Sequence, residues 1–152
     1  MYDSSTHCMQ ACPVGWDLFD ERCYLWVTNQ TKSWSDAENF CQNEGGHLVS
    51  ITSKGVNDYM LSQVGQRQVW IGANDRRQEG TWEWTDYSTF KFTDWAPGQP
   101  GKERSENCAE FYNTNEYQRG WNDLDCEASL NFVCTRNICS GKDVIHNFTN
   151  RC

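Results

Sequence analysis

Nine cysteines carry the most constrained chemistry in this chain: Cys8, Cys12, Cys23, Cys41, Cys108, Cys126, Cys134, Cys139 and Cys152. A reducing compartment seldom keeps so many thiols unless a metal holds them. Zinc would require paired short spacings completed by histidine. The three histidines, His7, His47 and His146, are scattered. Only "CMQAC", from Cys8 to Cys12, has a suitable spacing, and the neighbouring His7 has no second half elsewhere. The cysteines therefore read as disulfides of a secreted, extracellular chain. Two sequons fit secretion, Asn29-Gln30-Thr31 and Asn147-Phe148-Thr149, with Asn29 and Asn147 as glycosylation acceptors. No apolar run follows Met1, so the expectation is that a signal segment has already been removed.

Other chemistries are excluded by type and spacing. There is no serine elbow, no HExxH pair and no phosphate loop, and His47 follows Gly-Gly at the head of a core strand. The chain is not expected to be an enzyme. A net charge of −8 lacks the electrostatic footprint of a nucleic-acid binder and suits a hard cation such as calcium better. No run approaches the roughly 18 apolar residues of a membrane helix, so no membrane insertion is expected. Two stretches are rich in oxygen-bearing side chains, "QPGKERSENC" at 99–108 and "GWNDLDC" at 120–126.

Those stretches need a scaffold, and 152 residues suffice for one domain with short extensions. Eight Trp, seven Phe and six Tyr point to a core built from large rings. Residues 1–11 read as a polar extension and 137–152 as a polar tail. From Cys12 to Trp26 aromatics alternate with polar residues, as in a half-buried hairpin that a Cys12–Cys23 bridge would staple. A helix follows, opened by Ser35 with Glu38 or by Ser33 with Asp36, and closed by Gly45-Gly46. "HLVSI" is a short strand. Ser53 opens a second helix whose face is Val56, Tyr59, Met60 and Val64. Beyond Val69 the pattern turns to short strands: "VWIGAND", "TWEWTD", "NCAEFYN", "GWNDLDC" and "LNFVCTR". A long irregular stretch from Asp86 to Glu106 interrupts them, and Phe90, Phe92 and Trp95 argue that it is ordered around its own small core. Helices before strands indicate an α+β domain.

The motifs "CPVGW", "SWSDAENFC", "GGHLVSI", "WIGAND", "GTWEW", "ENC", "GWNDLDC" and "FVC" run in a familiar order from Cys12 to Arg136. Together they resemble the C-type lectin-like domain in its long form with an N-terminal hairpin. The resemblance implies residues 12–136 as the domain, with two helices flanking short antiparallel sheets and a long ligand-binding loop. It implies the bridges Cys12–Cys23, Cys41–Cys134 and Cys108–Cys126. The second closes a long loop and stabilises by about 4 kcal/mol on the chain-entropy estimate.

The same resemblance implies a calcium site built from Gln99, Glu106, Asn122 and Asp123, with Pro100 in the cis form. Gly101 stands where the family carries Asn or Asp, so water must replace one ligand and the site should be weak. An auxiliary site would use Asp75 and Glu79. Lys102 and Asn107 stand where carboxylates are expected there, so that site should be empty, or Lys102 should pair with Asp75 or Glu79. In this family the ion is shared with two neighbouring sugar hydroxyls. Triplets beginning with Gln resemble the galactose-type members, and the Gln amide both accepts and donates. Galactose or N-acetylgalactosamine glycans are the expected partners, with Tyr112 or Tyr117 covering the apolar ring face and Phe111 weighed beside them. The alternative is a calcium-independent lectin-like domain that binds a protein, mineral or ice surface. Cys8, Cys139 and Cys152 remain, an odd number that implies a disulfide-linked homodimer. Either Cys139 pairs with Cys152 and Cys8 joins the chains, or Cys8 bridges to the tail and frees a tail cysteine.

Overall fold

The computed structural model describes residues 12–115 and 117–138. The chain opens with a hairpin of β1 (Asp17–Phe19) and β2 (Arg22–Lys32), closed by the Cys12–Cys23 bridge. Helix α1 spans Trp34–Asn43. Of the two capping registers, Ser33 is the one used: its Oγ accepts from the Asp36 N–H at 3.3 Å. Tertiary contacts decide this. Trp34 must sit in the first turn so that its Nε1 can donate to the Ile71 carbonyl at 2.9 Å. Glu38 is then buried and unavailable as a capping partner. It accepts from the Leu48 N–H at 2.8 Å and lies 2.6 Å from His47 Nδ1, which fastens β3 (His47–Leu48) to the helix.

Helix α2 spans Lys54–Val64, capped by Ser53 and ended by Gly65 at φ 62°. Val56, Met60 and Val64 are buried as the spacing implies, and so is the polar Asn57. Tyr59 is less buried and stacks on Phe19 at 4.5 Å. The remaining strands are β4 (Gln68–Asn74), β5 (Glu83–Trp84), β6 (Cys108–Asn115), β7 (Gln118–Leu124) and β8 (Leu130–Asn137). They form one sheet in the order β1-β2-β8-β4-β6-β7, with β3 added to β8 and β5 to β4. All pairings are antiparallel except β4 with β8, where Val69 faces Asn131 and Trp70 faces Phe132. That parallel pair joins the expected short sheets into a single mixed sheet. Trp70, Trp84, Phe111, Trp121 and Phe132 fill the core, and "WIGAN" is buried throughout because β4 is covered on both faces. The Cys41–Cys134 bridge ties α1 to β8, and Cys108–Cys126 closes one end of the β6–β7 hairpin.

The long loop between β5 and β6 lies along the free edge of β7. The Trp121 N–H donates to the Asp94 carbonyl, and the Ala96 N–H donates to the Trp121 carbonyl, both at 2.9 Å. Gly120 makes this approach possible. It sits at φ 122°, and a Cβ there would stand 2.6 Å from the Asp94 carbonyl oxygen. Phe90, Phe92 and Trp95 pack edge-on around the Trp121 ring at 6.2, 6.1 and 5.6 Å, the small loop core that its aromatics imply. Among the described residues no helix is long and apolar enough to cross a membrane. Asn29 is exposed on β2. Asn147, Cys8, Cys139 and Cys152 lie outside the described residues.

Burial pushes the Tyr24 hydroxyl up to about 12, from an ordinary value of 10.0. The native state therefore holds this proton after the unfolded chain has released it. The resulting stabilisation is fully present below pH 10 and is lost as pH rises towards 12, a difference of about 3 kcal/mol. Chemical unfolding measured across this window should show Tyr24→Phe losing less stability than the wild type. Parallel losses in both proteins would show that Tyr24 does not carry the effect.

Candidate functional site

The β6–β7 hairpin and the long loop bring the two oxygen-rich stretches together. Strand β7 carries Trp121, Asn122 and Asp123 just before its last residue, Leu124, with Asp123 opposite Ala109 and Asn122 opposite Glu110. The loop reaches the same end through a cis Gln99–Pro100 bond. The Gly101 N–H then donates to Asp123 Oδ1 at 2.8 Å. A Cβ built on Gly101 would lie 3.5 Å from Asp123 Oδ2 and 3.6 Å from Gln99 Oε1. Gln99, position 101 and Asp123 thus converge on one point, and these are ordinary contact distances with no steric conflict.

Glu106 completes the acidic side. Partial burial pushes its carboxyl above the ordinary range, and the like charges of Asp123, Glu103 and Asp125 push it further. Asn122 is half-buried and its Nδ2 donates to Glu110 Oε1 at 3.0 Å. Among the described residues, no group of three or more His, Cys, Asp or Glu is gathered closely enough to hold a metal ion. The set here is of another kind, two carboxylates with two amides, and such mixed oxygen donors are what calcium takes. The donors fit a hard cation on two observations. Asp123 raises the Glu106 carboxyl, a repulsion that a bound cation would relieve. A Cβ at position 101 would stand in ordinary contact with both Asp123 carboxylate oxygens and Gln99 Oε1, so a side chain there would sit among these oxygens without a clash.

The auxiliary residues are arranged differently. Asp75 is buried, and its Oδ2 accepts from the Gly80 N–H at 2.8 Å, so this carboxylate closes the 75–80 turn. Glu79 is exposed. Among the described residues Lys102 forms no ion pair, so the expected partnership with Asp75 or Glu79 is not made. Of the aromatic candidates, Phe111 is core, Tyr112 is half-buried and Tyr117 is exposed. Tyr112 stands opposite Gly120. Tyr117 lies at the far end of the hairpin, roughly 20 Å along β7 from Asp123 at about 3.3 Å per residue. The sequence reading passed over Glu110, Asn57 and Asp94. Polar residues are mostly exposed, so residue type and spacing alone carry no signal of the partners these three find.

The match to the Lectin C-type domain model covers residues 30–136, and the chain belongs to that family. C-type lectin domain family 17, member A, from Homo sapiens is 38% identical over 126 residues, covering 82% of this chain. The chain spans 32% of that relative's length. Galactose-specific lectin nattectin from Thalassophryne nattereri is 34% identical over 134 residues, covering 84% of this chain and 82% of the relative. A solved structure of a calcium-independent type II antifreeze protein superposes with a TM-score of 0.79 at 33% identity, covering 88% of this chain and 99% of that one. The family consists generally of binding domains, and nothing here points to catalysis.

Gly101→Asn should fold normally and bind calcium at least about tenfold more tightly than wild type, since it restores a side-chain oxygen at a position where a Cβ meets only ordinary contacts. Calorimetric titration measures this. An unchanged or weaker affinity would show that position 101 does not face the ion.

Proposed function

We propose that this chain is a secreted lectin that binds galactose- or N-acetylgalactosamine-type glycans through calcium held by Gln99, Glu106, Asn122 and Asp123. The observation that carries the reading is the meeting of Gln99 Oε1 and the Asp123 carboxylate at position 101. When bound, the ion supplies coordination to two neighbouring sugar hydroxyls. Gln99 supports the galactose-type preference, because its amide can accept from one group and donate to another, whereas a Glu carboxylate could only accept. The galactose specificity in the printed name of nattectin supports the same choice. Tyr112 is the nearer aromatic to the site. Tyr117 would meet only a glycan longer than one ring. With water in place of a side chain at 101, affinity for calcium falls at the weak end of extracellular sites, about 10⁻³ M.

The second reading is a calcium-independent domain for a protein, mineral or ice surface. Gly101, Lys102 and the similarity to a calcium-independent antifreeze protein favour it. Thermal unfolding with calcium and with chelator separates the two. A ligand held only by the native state adds RT ln(1 + [L]/Kd), about 1.4 kcal/mol at a tenfold excess over Kd. Loss of that increment in Asp123→Ala, together with calcium-dependent galactose binding on a glycan array, is the expected result. No response in the wild type at about tenfold that Kd, roughly 10 mM calcium, would favour the second reading. Gln99→Glu combined with Gly101→Asn should move preference towards mannose, and a retained galactose preference would show that the triplet does not read the sugar.

We also propose a disulfide-linked homodimer. Cys12 is bonded to Cys23, and Cys23 stands opposite Arg136 on β8. The chain therefore enters and leaves the described fold at one corner, within a few residues of Cys8 and Cys139. This favours a bridge from the extension to the tail, with Cys152 joining two chains and raising avidity on glycan surfaces. A gel without reductant should show the dimer mass and Cys152→Ser the monomer. A monomer band for the wild type would remove the idea, and a dimer retained in Cys152→Ser would assign the link to another cysteine.

A further inference from the structure

Glu110 is a large charged side chain in the middle of the sheet, and only 2% of it is exposed. It lies on β6 between β4 and β7, opposite Trp70 on one side and Asn122 on the other. Its Oε1 accepts from Asn122 Nδ2 at 3.0 Å. Its Oε2 is buried with no hydrogen-bond partner among the described residues. A buried carboxylate with one satisfied oxygen costs stability, and an apolar residue of similar volume would serve this position better for the fold alone. What the glutamate does for the site answers that cost.

The Glu110 Oε1 is the acceptor in this contact, and the Asn122 side chain supplies the hydrogen. Whatever atom of Asn122 faces it must therefore be the amide nitrogen, and the Asn122 Oδ1 must point the other way. A cation takes the oxygen of an amide, never its NH2 group. We propose that Glu110 is a positioning residue that fixes the orientation of the Asn122 amide, so that its Oδ1 is presented to the calcium site. Resting on the calcium reading above, this assigns Glu110 a task that its place in a buried strand does not explain. Polar partners that orient metal ligands typically cost about 10–100-fold in affinity when removed.

The test compares Glu110→Leu and Glu110→Gln with the wild type, all as the full disulfide-bonded chain. Calcium affinity is read by calorimetry, unfolding by heat in chelator, and the Asn122 side-chain amide by NMR without metal. Glu110→Leu should keep or raise the melting temperature while weakening calcium by about 10–100-fold. Glu110→Gln should fall between, because its amide can accept from Asn122 in one orientation and donate to it in the other. The metal-free Asn122 amide resonances should shift in the Leu variant as the hydrogen bond is lost. Wild-type affinity in Glu110→Leu would overturn the assignment, as would a loss of affinity matched by a loss of stability. Unmoved Asn122 resonances would overturn it without touching the calcium reading. A wild type that binds no calcium would instead sink that reading, whatever the amide resonances show.

Discussion

The clamp on Trp121 is the constraint on which the rest of the site depends. Its backbone bonds the loop on both sides, to Asp94 and to Ala96, and its indole Nε1 donates to Asn57 Oδ1 at 3.1 Å. Asn57 in turn donates to Asp94 Oδ2 at 2.7 Å. Helix α2, the long loop and β7 are thus held by one closed set of hydrogen bonds in a buried setting, where an unmade bond costs about 1–3 kcal/mol. Without the clamp the loop would have no register against β7. Gln99 and Gly101 would then have no fixed place beside Asp123.

The clamp also explains why an irregular loop can carry a site. Loops position side chains well only when a rigid scaffold over-determines them. Here the scaffold is a sheet with the Cys108–Cys126 disulfide on the β6–β7 hairpin and ring packing of Trp84 and Trp95 against Trp121. The loop contributes backbone as well as side chains. The Gly101 N–H bonds Oδ1 of the Asp123 carboxylate, and among the described residues no hydrogen bond is made to Oδ2. The replacement of a ligand side chain by glycine therefore empties a position without loosening its neighbours, and binding is proposed to weaken while the rest of the geometry stands.

Much of this was legible in the residues. The disulfide partners, the two helices, the core role of "WIGAN" and the loop's own aromatic core could be read from spacing and family resemblance. Polar residues were read less well. The register of α1 went to Ser33 over Ser35, because the Trp34 indole needed the Ile71 carbonyl, and that partner is far away in sequence. Nothing in the sequence set Asn57 apart, and of the two expectations for the auxiliary residues, the pairing of Lys102 with Asp75 or Glu79 is not among the ion pairs of the described residues. For Trp34 and Asn57 the decisive contact joins segments that no local pattern connects.

The sequence alone therefore determined what depends on residue type and short-range order: secretion-style cysteines, an α+β chain with ring-rich strands, and the set of oxygen donors on offer. Only the tertiary structure decided which of those oxygens meet. Strand β6 lies between β4 and β7, and that placement buries Glu110 and sets it opposite Asn122. Hydrogen bonding is directional and short-ranged, so a donor and its acceptor are not defined until the chain brings them within about 3 Å. Composition and periodicity carry no record of that distance.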